Sequence, residues 1–318
     1  MKILVYFNFT DEQITQMQHL VRSCGDHELV HAADAEEAIR LAPGSEAILG
    51  VFPPEVCAAA PELRWAQSHS AGMNTFLFPD LIDRDVTITN MAGIYAPQGG
   101  EHAWALLLAL ARGLHRSLRN QTERKWGNAG PIIELTGGTL GLIGMGGFGV
   151  ETAIRAQGYD MEILALDPRR SEKPDYLAEL KPPTKENLHD LLRRSDAVVI
   201  ACPLIPETYH LIGHDELAQM KNTAYLINVT RGGIIDEPAL IEALNNGQIA
   251  GAGLDVCEGE PLAAADPLWD APNLIITPHN AGASQHRPRK VFEFFCANLE
   301  RYLTGEDLVN IVDKKSGF

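Results

Sequence analysis

Strand-like and helix-like segments alternate along nearly the whole chain, which predicts an α/β protein built on parallel sheets covered by helices. Two further observations narrow this. At 318 residues the chain is long for one compact core, so about two domains are expected. In the second half, the run GLIGMGGFG carries the glycine spacing of a doubly wound dinucleotide-binding sheet.

The elements follow in order. KILVYF reads as a strand and DEQITQMQHLVRSC as a helix with helical apolar period. AEEAIRLA is helical, and EAILGVF, LRWAQSHSAG and VTITNMA are strands. A long apolar helix begins near Gly99–Gly100 and runs to about Leu118, and its length suits a connector between domains. A new strand series then opens at GGTLGLIGMGGFG and continues through EILALD, AVVIACP, AYLINVT, AGAGLDV and LIITPH. The polar, proline-rich SEKPDYLAELKPPTK is expected to be a solvated loop. VFEFFCANLERYL is an amphipathic helix placed to return to the first domain.

Composition excludes several classes. Hydrophobic residues make up 45% and charged residues 21%, enough apolar material for two cores without metal or disulfide staples. The formal net charge is −16 and no basic stripe is present, which argues against nucleic acid as a partner. An anionic substrate would be repelled at long range, so its site must carry positive charge of its own. Cys24, Cys57, Cys202, Cys257 and Cys296 are odd in number and form no CxxC pair, which argues against a disulfide framework and a zinc site. Five reduced thiols and no recognisable secretory signal point to the cytoplasm. HAWALLLALARGLHRSL has too short an apolar run to span a bilayer.

In GLIGMGGFG, Gly144 permits the tight turn, Gly146 lets the backbone approach a pyrophosphate, and Gly149 lets strand and helix pack closely. The helix VETAIRAQG follows, and its N-terminal N–H groups face the phosphates; Gly147 and Phe148 are further candidate cofactor contacts. Asp167 ends the next strand 18 positions past Gly149, placed to hydrogen-bond the adenine ribose. Its charge favours NAD, while Arg169 and Arg170 leave NADP open, since either could reach a ribose phosphate.

Three segments then place charged groups after apolar strands. Arg231 follows AYLINVT, Asp255 ends AGAGLDV with Glu260 in the next loop, and His279 follows LIITP. Ligands in such sheets bind outside the carboxyl ends of the strands, so these groups would face one crevice. They suit hydride transfer to a keto acid. A protonated histidine delivers the proton, a carboxylate beside it raises its pKa and orients the ring, and a guanidinium holds the substrate carboxylate. His279 is therefore the candidate acid/base, Glu260 its partner and Arg231 the anchor.

These runs, with INVTRGGIIDEPALIEAL, AGAGLDVCEGEPL, PNLIITPHNAGAS, CPLIPETYHLI, SHSAGMN and the tail NLERYLTGEDLVNIV, resemble the successive signatures of the D-isomer-specific 2-hydroxyacid dehydrogenases. The resemblance covers nearly the whole chain. It implies a homodimer whose dinucleotide-binding Rossmann domain, residues 101–284, is inserted in a flavodoxin-like substrate domain of residues 1–100 and 285–318. It implies Arg231, Glu260 and His279 in the roles given above, Asp255 near the nicotinamide carboxamide, and Pro203 and Thr208 by the adenosine and phosphates. Val229 and Gly282 complete the candidate cofactor contacts, and backbone N–H groups near Ala71 and Gly72 are expected to bind the substrate carboxylate. Gly147 and Phe148 depart from the family's commoner polar–Ile pair, and no additional regulatory domain is expected. His69, Tyr95 and Trp126 are each open between substrate contact and packing. Two other readings stay open: an NADH-sensing regulatory protein on the same fold, and a phosphite substrate. Glu260 argues against formate, since the formate-oxidising branch carries Gln there.

Overall fold

The structure is a computed structural model that describes residues 1–317. Phe318, the last residue of the tail assigned to the substrate domain, lies outside the described residues. Two compact units form, one from Met1–Tyr95 with Ser284–Phe318 and one from Ala96–Ala283.

The first unit begins with β1 (Lys2–Tyr6), α1 (Asp11–Ser23), β2 (Glu28–His31), α2 (Ala35–Leu41), β3 (Ser45–Gly50), α3 (Pro54–Ala58), β4 (Trp65–Ser68), α4 (Pro79–Asp83) and β5 (Thr87–Thr89). Its five strands lie in the order β2-β1-β3-β4-β5, every pairing parallel. Strands buried on both faces need apolar residues throughout, and Ile3, Leu4, Ile48, Leu49, Trp65 and Ala66 supply them with no exposed surface. Helix α1 starts at a capping box: Gln13 donates its backbone N–H to Thr10 Oγ1, and Thr10 donates its own to Gln13 Oε1. The edge strand β2, in HELVH, was not marked by apolar pattern, because an edge strand needs little apolar surface.

The second unit contains α5 (Ala96–Ala111), α6 (Leu114–Thr122), β6 (Thr139–Ile143), α7 (Gly147–Ala156), β7 (Glu162–Leu166), β8 (Glu179–Lys181), α8 (Lys185–Arg194), β9 (Ala197–Ile200), α9 (His214–Leu217), β10 (Tyr225–Asn228), α10 (Glu237–Asn245), β11 (Gly251–Leu254) and β12 (Leu274–Ile276). The seven-stranded parallel sheet runs β12-β11-β10-β9-β6-β7-β8. Strand order reverses between β6 and β9, the point at which doubly wound sheets bind ligands beyond their carboxyl ends.

Two local expectations are corrected here. The long helix is two helices, broken where Gly113 takes φ 62°, a left-handed value that ends a helix cheaply only in glycine. The polar stretch expected to be a loop contains β8, which pairs with β7 as the outermost strand. Its side chains are half-buried, so the period-2 apolar signal was weak.

Helix α11 (Arg287–Thr304) belongs to the first unit. Its Val291, Phe295 and Leu299 are buried, with Phe295 stacked 5.8 Å from Phe7 and edge-on to Phe9 at 5.3 Å. Among the described residues no helix is long and apolar enough to cross a membrane.

Candidate active site

The glycine-rich turn links β6 to α7. Gly144 has φ 103°, and a Cβ there would lie 2.7 Å from the carbonyl of Ala201. A Cβ on Gly149 would strike the carbonyl oxygen of Gly144. Both glycines are thus demanded by the packing of strand, turn and helix. Gly146 differs: a Cβ there would meet nothing within 4 Å. It opens onto space at the N-terminus of α7, where unpaired helix N–H groups favour an anion, so the turn fits a dinucleotide pyrophosphate. Phe148 packs its ring onto Gly99 of α5. Asp167 accepts the Met145 amide at 2.8 Å and the Arg169 and Arg170 amides at 2.9 Å each, which ties the end of β7 to the turn. Pro203 accepts the Thr208 hydroxyl at 2.7 Å in the loop after β9, and Val229 is buried after β10.

The charged constellation assembles in the same unit. Arg231 leaves β10 with its guanidinium donating to the Thr230 carbonyl at 2.7 Å. Burial holds that guanidinium below the usual arginine range, against the counteracting charge of Glu260. Gly232 has no room for a side chain, since a Cβ would run into the Cys257 carbonyl. This close approach brings the Arg231 turn against the loop that carries Glu260. Glu260 accepts the Cys257 amide at 3.1 Å through Oε1 and meets His279 Nδ1 at 2.6 Å through Oε2. The other ring nitrogen of His279, Nε2, takes no partner among the described residues. The pair is half-exposed, at 45% for His279 and 36% for Glu260.

Asp255 holds the turn beneath this pair. Its side chain is fully buried and accepts the Thr277 hydroxyl at 2.6 Å, the Asn280 amide at 3.0 Å and the Ala281 amide at 2.8 Å. Burial would raise this carboxyl, yet the hydrogen bonds from His102, Thr277 and the two amides outweigh it and hold it below the ordinary range. Its backbone carbonyl accepts the His279 amide at 2.8 Å. Gly282 accepts the side chain of Gln98 at 3.3 Å.

In the first unit, Ala71 and Gly72 lie in the loop after β4. Asn90 donates to the Ala71 carbonyl at 2.9 Å and Met91 to that of Ser70 at 3.0 Å. Tyr95 donates to the His69 carbonyl at 2.7 Å, and the His69 ring lies 5.1 Å from Phe7 and 5.5 Å from Phe76. Trp126 is wholly exposed in the second unit.

Residues 104–281 match the family model described as D-isomer specific 2-hydroxyacid dehydrogenase, NAD binding domain. The chain belongs to the D-isomer-specific 2-hydroxyacid dehydrogenases. It is 38% identical over 266 residues to a glyoxylate reductase of Korarchaeum cryptofilum, covering 82% of this dehydrogenase and 79% of the relative. It is 31% identical over 317 residues to a hydroxypyruvate reductase of Blautia hydrogenotrophica, covering 95% and 89%. A D-isomer specific 2-hydroxyacid dehydrogenase from Xanthobacter autotrophicus, solved with NADPH and MES, superposes with a TM-score of 0.81 at 27% identity over 99% of both chains. The dehydrogenase is accordingly an oxidoreductase that moves a hydride between NAD(H) and a 2-keto acid/2-hydroxy acid pair.

Sequence reasoning passed over His102, Gln98 and Thr277. His102 lay in a helix read only as buried and apolar, and Gln98 just before that helix's expected start near Gly99–Gly100. Two polar residues four apart on such a helix share one face, and that spacing was the available signal.

Proposed function

We propose that the dehydrogenase reduces small 2-keto acids to D-2-hydroxy acids, hydroxypyruvate foremost, and glyoxylate to the achiral glycolate. The observation that carries this reading is the 2.6 Å His279–Glu260 pair with Nε2 of His279 left to face a ligand. Glu260 orients the ring, and His279 gives the Nε2 proton to the substrate oxygen as negative charge develops there. Arg231 holds the substrate carboxylate and polarises the carbonyl. The Ala71 and Gly72 amides of the first unit are assigned as donors to a substrate carboxylate. When bound, NADH supplies the hydride. Gly144, Gly146, Gly147 and Gly149 shape its pyrophosphate cradle. Asp167 is assigned to the adenine ribose, and Pro203, Thr208, Val229, Asp255 and Gly282 are assigned to the remaining cofactor contacts.

The proposal extends to assembly and setting. Leu114, Leu118, Trp126 and Ile132 are exposed apolar residues within one segment of 19 positions, from 114 to 132, which supports a homodimer covering that segment. Five free cysteines support a reducing compartment such as the cytoplasm.

The test is NADH and NADPH consumption by purified protein with glyoxylate, hydroxypyruvate, pyruvate, 2-ketobutyrate and phenylpyruvate. Consumption that is fastest with the two smallest polar keto acids is expected. NADH binding without consumption of any keto acid would overturn the reading and favour a sensor.

A further inference from the structure

We infer that Gln98 and His102, one turn apart on α5, are positioning residues that hold the His279 turn in its working shape. This rests on the reading that His279 supplies the proton.

The turn from Thr277 to Gly282 carries backbone strain at its centre. His279 has φ 50°, in the left-handed region that a side chain with a Cβ enters only when its surroundings fix it there. Two features fix it from the sheet side. The His279 amide donates to the Asp255 carbonyl at 2.8 Å, and the next two amides, of Asn280 and Ala281, donate to the Asp255 carboxylate. Asp255 is therefore the peg around which the turn closes.

Helix α5 grips that peg and the far end of the turn. His102 Nε2 lies 2.8 Å from Thr277 Oγ1 and 3.3 Å from Asp255 Oδ1. Thr277 has already given its only hydroxyl proton to Asp255, at 2.6 Å. Both neighbours of His102 Nε2 can then only accept, so Nε2 carries the hydrogen and donates it. One turn earlier, Gln98 is buried and donates from Nε2 to the Gly282 carbonyl at 3.3 Å. Positions four apart share a helix face, so one edge of α5 clasps the turn at both ends, with His279 between them. Among the described residues, neither side chain hydrogen-bonds to His279. Each acts by keeping its imidazole where Glu260 meets Nδ1 and Nε2 faces outward.

The experiment compares His102→Leu, His102→Gln and Gln98→Met with wild type and His279→Ala, using glyoxylate or the best keto acid found. For His102→Leu, kcat should fall about 10- to 100-fold, the size expected when a reacting group shifts by about 1 Å. NADH affinity, read by fluorescence, should fall far less than kcat, because Asp255 and Gly282 are only two of the assigned cofactor contacts. The primary isotope effect with NADH deuterated at the transferred position should rise, because the chemical step alone has slowed. Gln keeps an amide donor near the position of Nε2, so His102→Gln should recover most of kcat. A smaller fall, about 5-fold, is expected for Gln98→Met, and this variant carries the test if His102→Leu does not fold. Wild-type kcat in both His102→Leu and Gln98→Met would overturn the inference, as would an unchanged isotope effect or a His102→Gln no better than His102→Leu. Wild-type turnover in His279→Ala would instead sink the reading of the site itself, so the two failures are distinguishable.

Discussion

Two histidine–carboxylate pairs share the loop from Cys257 to Glu260, and by simple geometry they are nearly alike. His279 meets Glu260 at 2.6 Å, and His210 meets Glu258 at 2.5 Å. Both histidines sit in left-handed backbone, at φ 50° and 51°. The difference lies in the second ring nitrogen. His279 pairs through Nδ1 and keeps Nε2 open, beside a loop that the Arg231 turn touches. His210 pairs through Nε2, its Nδ1 faces Asp236 at 3.9 Å, and Tyr209 stacks on its ring at 4.0 Å. An acid/base must present a nitrogen to the reacting atom, and of these two rings only that of His279 keeps one without a partner among the described residues. A short imidazole–carboxylate contact is therefore no mark of catalysis until the opposite side of the ring is inspected.

The sharpest way to break this comparison is to remove each ring in turn. His279→Gln should lower kcat by about 10²- to 10⁴-fold, the usual worth of a placed general acid, with NADH affinity retained. His210→Gln should leave kcat within about threefold of wild type, as a substitution outside the reacting groups does. Comparable losses from both, measured as single-turnover NADH oxidation, would erase the distinction drawn here. Next in size is Arg231→Gln, expected to cut kcat/KM for the keto acid by about 10²- to 10³-fold, as loss of one preorganised charge-stabilising donor does. NADH affinity should change far less, and an equal loss of both would reassign Arg231 to structure.

The same contrast between an occupied and an open side separates two glycines. Gly149 is filled in by its own chain, so Gly149→Ala should give little folded protein. Gly146 has φ −70° and open space where a Cβ would stand, so alanine costs the fold little. Gly146→Ala should therefore keep the melting temperature and weaken NADH about tenfold, equivalent to about 1.4 kcal/mol. Unchanged NADH affinity would mean that the cofactor does not approach that face of the turn.

How much of this was legible in the sequence depends on the range of the interaction. The glycine spacing and the strands around it were readable because each glycine answers a local demand of one turn. Arg231, Glu260 and His279 were readable as a group because each follows an apolar strand, and parallel topology sends all such ends to one side. The clasp of His102 and Gln98 on the 277–282 turn was not, since it joins helix α5 to a segment about 180 residues away. Gly113 and β8 were missed for a different reason. A single glycine in an apolar run reads as tolerated in a helix, and a half-buried three-residue edge strand has no room to show a period.

The smallest expected effect concerns Cys257, at the base of the loop that both pairs share. Its amide donates to Glu260, so a bulky adduct on its thiol would disturb the His279 pair directly. Burial, with the nearby Glu237, Glu260, Asp266 and Asp255 charges, pushes this thiol up to about 12. Only the thiolate attacks an alkylating agent, and at pH 8 roughly one Cys257 in ten thousand would be ionised. Iodoacetamide at pH 8 should therefore leave turnover unchanged over an hour. The rate of modification should rise about tenfold per pH unit as far as pH 11, because each unit multiplies the thiolate fraction by ten. Rapid inactivation at pH 8, with the adduct mapped to Cys257, would show that the loop opens far enough to hydrate the thiol. The Glu260–His279 contact would then be one state of a moving segment, and its difference from the His210 pair would lie in mobility rather than in which nitrogen is left open.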